Sequence, residues 1–166
     1  MKKALIVIDM QHDFIDGALG SEDAKAIVPF VKNLIDKRDY NKLVFTRDTH
    51  FENYMETQEG KHLPVPHCIK DTYGWEIHPE LDTTNATIID KYSFGYDKWQ
   101  GHFDDMDEII LTGLCTDICV ISNALILKAL YPETNISIVK NATAGVTPAT
   151  KDAALATAQS CQIQIM

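Results

Sequence analysis

The stretch Ala4–Ile8, ALIVI, followed at once by Asp9-Met10-Gln11, decides the fold. A short unbroken run of branched apolar residues suits a strand covered on both faces, and such strands belong to parallel sheets. Working outward, Ser21–Arg38 places Ala24, Ile27, Val28, Val31, Leu34 and Ile35 at helical spacing, with Ser21 or Asp23 as N-cap. Short strands follow at Leu43–Thr46, Thr87–Ile89 and Glu108–Leu111. Thr116–Leu130 is helical in pattern, Ile136–Val139 a strand, and Thr147-Pro148 an N-cap with Pro at the first position of a helix to about Ser160. Gln162–Ile165 closes the chain as a strand. This alternation predicts an α/β fold, a mostly parallel sheet flanked by helices on both faces. Asp48 to Asn85 carries no clear periodicity, and so long a loop is expected to be functional.

The bulk properties narrow the function. A length of 166 residues fits one domain spanning 1–166, and 45% hydrophobic residues fit a real core. A net charge of −9 argues against nucleic acid or an anionic membrane as partner and favours a small molecule. The apolar run in MKKALIVIDM, about six residues, is too short for a signal sequence, and nothing approaches the roughly 20 apolar residues of a membrane span. A reducing cytoplasm is therefore expected. There Cys68, Cys115, Cys119 and Cys161 are read as catalytic, metal-binding or inert rather than as disulfides.

Ligands of open parallel sheets bind beyond the carboxyl ends of the strands. Those ends carry Asp9, Gln11 and Asp13, then Asp48 and His50, then Asp90 and Lys91, then Gly113, Cys115, Thr116, Asp117 and Cys119. Alone, each has an ordinary reading as a turn residue, a solvated charge or a small buried side chain. Together they place an acid, a lysine and a thiol at one edge. Cys119 falls where a strand gives way to a helix, a position that favours a thiolate. Asp9 would serve as general base and later acid, Lys91 would hold that carboxylate, and the N–H groups of Cys115 and Cys119 would bind an oxyanion.

Asp48 and His50 alternate on an extended segment and can meet one ion, with His67 returning from the loop. Two imidazoles and a carboxylate suit one divalent metal, Zn²⁺ first and Mn²⁺ or Fe²⁺ as alternatives. Glu59 is the further oxygen donor, with Glu56 and His62 as competitors. Phe14, Trp75 and Phe94, with Tyr92 and Tyr96, fall near the same edge and would hold a flat heteroaromatic substrate. No C-x-x-C pair and no glycine-rich phosphate loop is present.

These segments resemble the isochorismatase-like hydrolases, and within them the nicotinamidase/pyrazinamidase group, from about Lys3 to Val146. ALIVIDMQHDF resembles the first strand with the catalytic aspartate, at Asp9. TRDTH and LPVPHC resemble the metal-binding segments, giving Asp48, His50 and His67; IIDKYSF gives the lysine, Lys91; ILTGLCTDICV gives the nucleophile, Cys119. Glu59 resembles the glutamate ligand of some relatives. The resemblance implies a Rossmann-like sheet and hydrolysis of nicotinamide to nicotinate and ammonia through a thioester. It also implies a metal that orients the pyridine nitrogen, a cis peptide at Leu114-Cys115, and homo-oligomers as an option. Two other readings stand beside it: the same triad acting on another small amide, carbamoyl compound or ureide, and a catalytically silent binding protein.

Overall fold

A computed structural model describes residues 1–166. Its elements are β1 (Lys3–Ile8), α1 (His12–Ile15), α2 (Glu22–Asp36), β2 (Lys42–Asp48), α3 (Gln58–His62), β3 (Thr87–Lys91), β4 (Glu108–Leu114), α4 (Ile121–Leu130), β5 (Asn135–Ala144), α5 (Pro148–Ser160) and β6 (Gln164–Ile165). The six strands form one sheet in the order β3-β2-β1-β4-β5-β6, and every pairing is parallel. This is the doubly wound order, in which the chain reverses its direction of travel between β1 and β4.

ALIVI is buried along its whole length and feeds both layers. Ala4, Ile6 and Ile8 join the core under α4 and α5, while Leu5 and Val7 join the core under α2. The Ser21 hydroxyl accepts from Ala24 N at 3.0 Å and caps α2. Thr147 and Thr150 cap α5 reciprocally, ahead of Pro148 at its first position. No helix is long and apolar enough to cross a membrane.

The strands outrun their apolar cores, and this matters for the site. β2 runs to Asp48 and β3 to Lys91, which are register partners at the sheet edge. Backbone hydrogen bonding continues a strand past the point where its side chains turn polar. The segment after Asp48 is also more ordered than its sequence suggests. It holds 3₁₀ turns at Tyr54–Glu56 and Tyr73–Trp75 as well as α3, and bridges at His50–Ile69 and Gln11–Ile77 tie it down. The helix expected from Thr116 opens as a π-helical turn, Thr116–Val120, before α4.

Candidate active site

The turn after β1 is the first element of the site. Asp9 has a left-handed backbone, φ 49°, and its carboxylate is fully buried. Its two oxygens have different neighbours. The Thr46 hydroxyl donates to Oδ1 at 2.7 Å, while Oδ2 faces Lys91 Nζ at 2.7 Å and has no other polar partner. Lys91 Nζ also donates to Ser93 O at 3.1 Å and lies 3.5 Å from both Cys119 Sγ and Asp48 Oδ1. Asp9, Lys91 and Cys119, from the ends of three strands, therefore meet around one ammonium.

Burial pushes the Asp9 carboxyl up, against the pull of Lys91 and Thr46. Burial works against the Lys91 charge, but Asp9, Cys119 and Asp48 outweigh it and hold the ammonium firmly protonated. The Cys119 thiol is also pushed up, by burial and then by Asp9, despite Lys91. This runs against the thiolate expected from the helix start, since burial favours the neutral thiol. Desolvation of a sulfur that is only 5% exposed outweighs the partial charge of one helical turn.

β4 brings the backbone donors. Leu114-Cys115 is a cis peptide, and the Cys115 amide donates no hydrogen bond within the protein. The Cys115 carbonyl accepts from Ile118 N and Val120 N at 3.1 Å each, skipping Cys119 between them. Gly113 makes this loop possible: its φ is +113°, and a Cβ there would lie 2.1 Å from Ile8 O.

Asp48, His50, Glu59 and His67 form a second group, their ligand atoms all within 4.8 Å of one another. His50 Nε2 lies 2.9 Å from Asp48 Oδ2 and 3.5 Å from Glu59 Oε2; His67 Nε2 lies 3.6 Å from an oxygen of each carboxylate. His67 Nδ1 donates to Val65 O at 2.8 Å, which assigns the Nε2 lone pair to the cluster. In neutral His67 that lone pair faces two acceptors, so the site calls for a positive charge. Consistent with this, the pull of Asp48 and Val65 raises His67 although burial opposes it. Burial likewise opposes the ionised Asp48, yet His50, His67 and Lys91 hold its carboxyl well below the usual range. The donor set fits a divalent cation. Of the competitors for the fourth position, α3 turns Glu59 inward, while Glu56 and His62 stay exposed.

Cys119 and the Asp48–His50–Glu59–His67 group line one cavity of about 1060 Å³, with Asp9 and Lys91 buried outside its lining; its walls include Phe14, Leu63, Phe94 and Val146. Trp75, expected among them, is not there. Its indole donates to Thr49 Oγ1 at 2.9 Å and its ring stacks on the Arg47 guanidinium at 3.7 Å, so it packs beneath the metal segment. Tyr96 is likewise turned inward, onto Trp99, while Tyr92 reaches the cavity.

Sequence reasoning gave no role to three supports. Gln11, fully buried, donates to Asp48 O and Trp75 O at 2.9 Å and accepts from Asp48 N at 2.8 Å. Asp13 accepts from Cys68 N at 2.8 Å, fixing the residue after His67. Asn123 donates to Cys119 O at 2.8 Å and Phe94 O at 3.2 Å, joining nucleophile and pocket wall. A polar residue directly after a buried strand was the one available signal, and it covered only Gln11 and Asp13.

The chain matches the model of the isochorismatase domain over residues 3–166. It is 27% identical to the nicotinamidase/pyrazinamidase of Mycobacterium tuberculosis, over 99% of this chain and 98% of that one. Among solved structures, a nicotinamidase/pyrazinamidase from Bacillus subtilis superposes with a TM-score of 0.82 at 28% identity, covering 99% of both chains. The pyrazinamidase of Pyrococcus horikoshii, solved in complex with zinc, gives 0.80 at 29% identity, over 100% of this chain and 99% of that one. With a doubly wound sheet, strand-end residues gathered in one cavity and a family match across almost its whole length, the chain belongs to the isochorismatase family.

Proposed function

We propose that this isochorismatase-family enzyme is a metal-dependent nicotinamidase. Its substrates are nicotinamide and pyrazinamide, cleaved to the carboxylic acid and ammonia through a thioester on Cys119. The observation that carries this reading is the single cavity holding both Cys119 and the Asp48–His50–Glu59–His67 cluster. A pyridine carboxamide carries an amide and a ring nitrogen on one rigid flat frame, and the cavity offers a group for each. The relatives named nicotinamidase and pyrazinamidase support the same substrate class. Residues 1–166 would act as one catalytic domain, and a reducing cytoplasm would keep the thiol intact.

Asp48, His50, His67 and Glu59 would hold one divalent ion, Zn²⁺ first, with Mn²⁺ or Fe²⁺ as alternatives. When bound it supplies a Lewis acid that fixes the ring nitrogen. The protein's own groups perform the chemistry. Asp9 Oδ2 takes the thiol proton as Cys119 Sγ attacks the amide carbon. The N–H groups of Cys115 and Cys119 hold the resulting oxyanion. As the tetrahedral adduct collapses, the C–N bond breaks and Asp9 returns its proton to the leaving nitrogen, releasing ammonia and leaving the thioester. Asp9 then deprotonates a water that attacks the thioester carbon, and the second collapse returns the proton to Cys119 and frees the acid. Lys91 keeps its proton throughout and holds both the carboxylate and the sulfur in register.

Ammonia release from nicotinamide and pyrazinamide by metal-loaded protein tests the proposal. Turnover no higher than that of Cys119→Ala overturns it.

A further inference from the structure

β5 departs from regular pairing where it passes the active-site loop. Its partners on β4 jump from Leu111–Ile138 to Gly113–Thr143, so four residues of β5, 139–142, stand against the single residue Thr112. Bulges re-aim side chains beside functional sites. Here the bulge delivers the Thr143 side chain beneath the loop Gly113–Thr116. Thr143 Oγ1 donates to Gly113 O at 2.8 Å and lies 2.7 Å from Thr116 Oγ1, with both threonines fully buried. A hydroxyl has one hydrogen. Thr143 uses its hydrogen on Gly113, so Thr116 must be the donor between the two hydroxyls. The result is a directional relay from Thr116 through Thr143 to Gly113 O.

The two ends of this relay bracket Leu114-Cys115, the peptide whose N–H points to no partner within the protein. One end pins the carbonyl before Leu114, the other the side chain after Cys115. Two further ties run from the same loop to the β5 end: the Thr112 hydroxyl to Ala142 O, and Val146 N to Asp117 Oδ1 at 3.0 Å. Lys151 of α5 donates to Thr143 O at 2.7 Å and holds the far side of the bulge.

We propose that Thr116 and Thr143 are positioning residues for the oxyanion site: the hydroxyl relay aims the Cys115 N–H at the tetrahedral adduct. Neither hydroxyl touches substrate. The inference rests on the reading of Cys119 as an acyl-transfer nucleophile, and it adds the device that presets the donor. A preset dipole acts on the charge that develops in the transition state and only weakly on the bound amide. Loss of the relay should therefore lower kcat and leave KM nearly unchanged.

Thr143→Val and Thr116→Val, close in shape to threonine, remove one hydroxyl each. Deleting an oxyanion donor outright costs about 10²–10³ in kcat, so a misaimed one should cost about ten- to a hundredfold. KM should move less than about threefold, and Thr143→Ser, which restores the hydroxyl, should recover most of kcat. The second measurement is binding of pyridine-3-carbaldehyde, which adds to Cys119 to give a tetrahedral hemithioacetal. Its affinity should fall by a similar factor in both valine variants, while alkylation of Cys119 by iodoacetamide keeps its wild-type rate. Thr116→Val leaves the Thr143–Gly113 bond in place and serves if Thr143→Val fails to fold. Unchanged kcat and aldehyde affinity in a folded valine variant would overturn the inference. So would a fall in alkylation that matches the fall in kcat, since general disruption produces that pattern. If wild-type protein turns over no nicotinamide, the proposed function fails on its own, and the aldehyde affinities still decide the role of the relay.

Discussion

Asp9 shows how much one residue's neighbours determine. Oδ1 accepts from the Thr46 hydroxyl and Oδ2 pairs with Lys91 Nζ at 2.7 Å, and on the proposed mechanism it is Oδ2 that takes the thiol proton. Proton transfer by a placed carboxylate contributes about 10²–10⁴-fold, so Asp9→Asn should lower kcat/KM by that order while the protein still melts cooperatively. Burial sets the Asp9 carboxyl above the ordinary aspartate value of 3.8, and Thr46 and Lys91 pull it down. On the proposed mechanism Asp9 works only when ionised, so activity should fall as pH drops through that raised value. Thr46→Val removes a group that favours the ionised form, which should push the acid limb of kcat/KM to higher pH. An unmoved limb in a variant of normal stability would deny the Thr46 bond this influence.

Among the elements, the segment from Asp48 to the Tyr73–Trp75 turn is held by residues outside it, chiefly Gln11 and Asp13. Asp13 fixes Cys68 N, and Gly74 passes so close that a Cβ there would lie within 2.5 Å of the Asp13 carboxylate. His67 thus inherits its place from an acid on α1. Outer supports of metal ligands are commonly worth about 10–100-fold in affinity, so Asp13→Ala should weaken zinc binding by that factor. Competition with a chromophoric chelator would measure it, with His50→Ala as the variant expected to lose the metal altogether. On α4, Asn123 Oδ1 accepts from Tyr96 N and Trp99 Nε1 at 2.9 Å each, while its amide serves Cys119 and Phe94. Asn123→Leu strands several buried groups at once and should cost on the order of 3 kcal/mol in urea unfolding.

For the whole molecule, the strand order places the cavity. Between β1 and β4 the crossovers leave in opposite directions, opening a crevice at the carboxyl ends that the Cys115–Cys119 turn lines. Two buried cores pack on either side of the sheet. Leu111→Ala, in the core under α4 and α5, should lower stability by about 2–5 kcal/mol while the folded fraction retains its kcat. Denaturant titration and active-site counting would separate the two effects.

The sequence by itself determined the alternation, the parallel sheet and the set of strand-end residues from which the site is drawn. Those follow from local causes: an apolar run such as ALIVI must be covered on both faces, and a buried strand must surface at a polar end. Asp9, Lys91, Cys119 and the Asp48–His50 pair were legible because they sit within a few residues of those ends. Only the tertiary structure decided which loop residues turn inward. Glu59 rather than His62 faces the cluster because α3 presents only one side to it. Trp75 leaves the cavity because Arg47 and Thr49 satisfy it elsewhere. The upward push on the Cys119 thiol also waited on the fold, since burial is a property of everything packed around a sulfur. So did the Thr116–Thr143 relay, which joins residues 27 apart through a bulge with no clear sequence signature. Local sequence sets where a strand must end, whereas distances between side chains on different strands exist only after the sheet has formed.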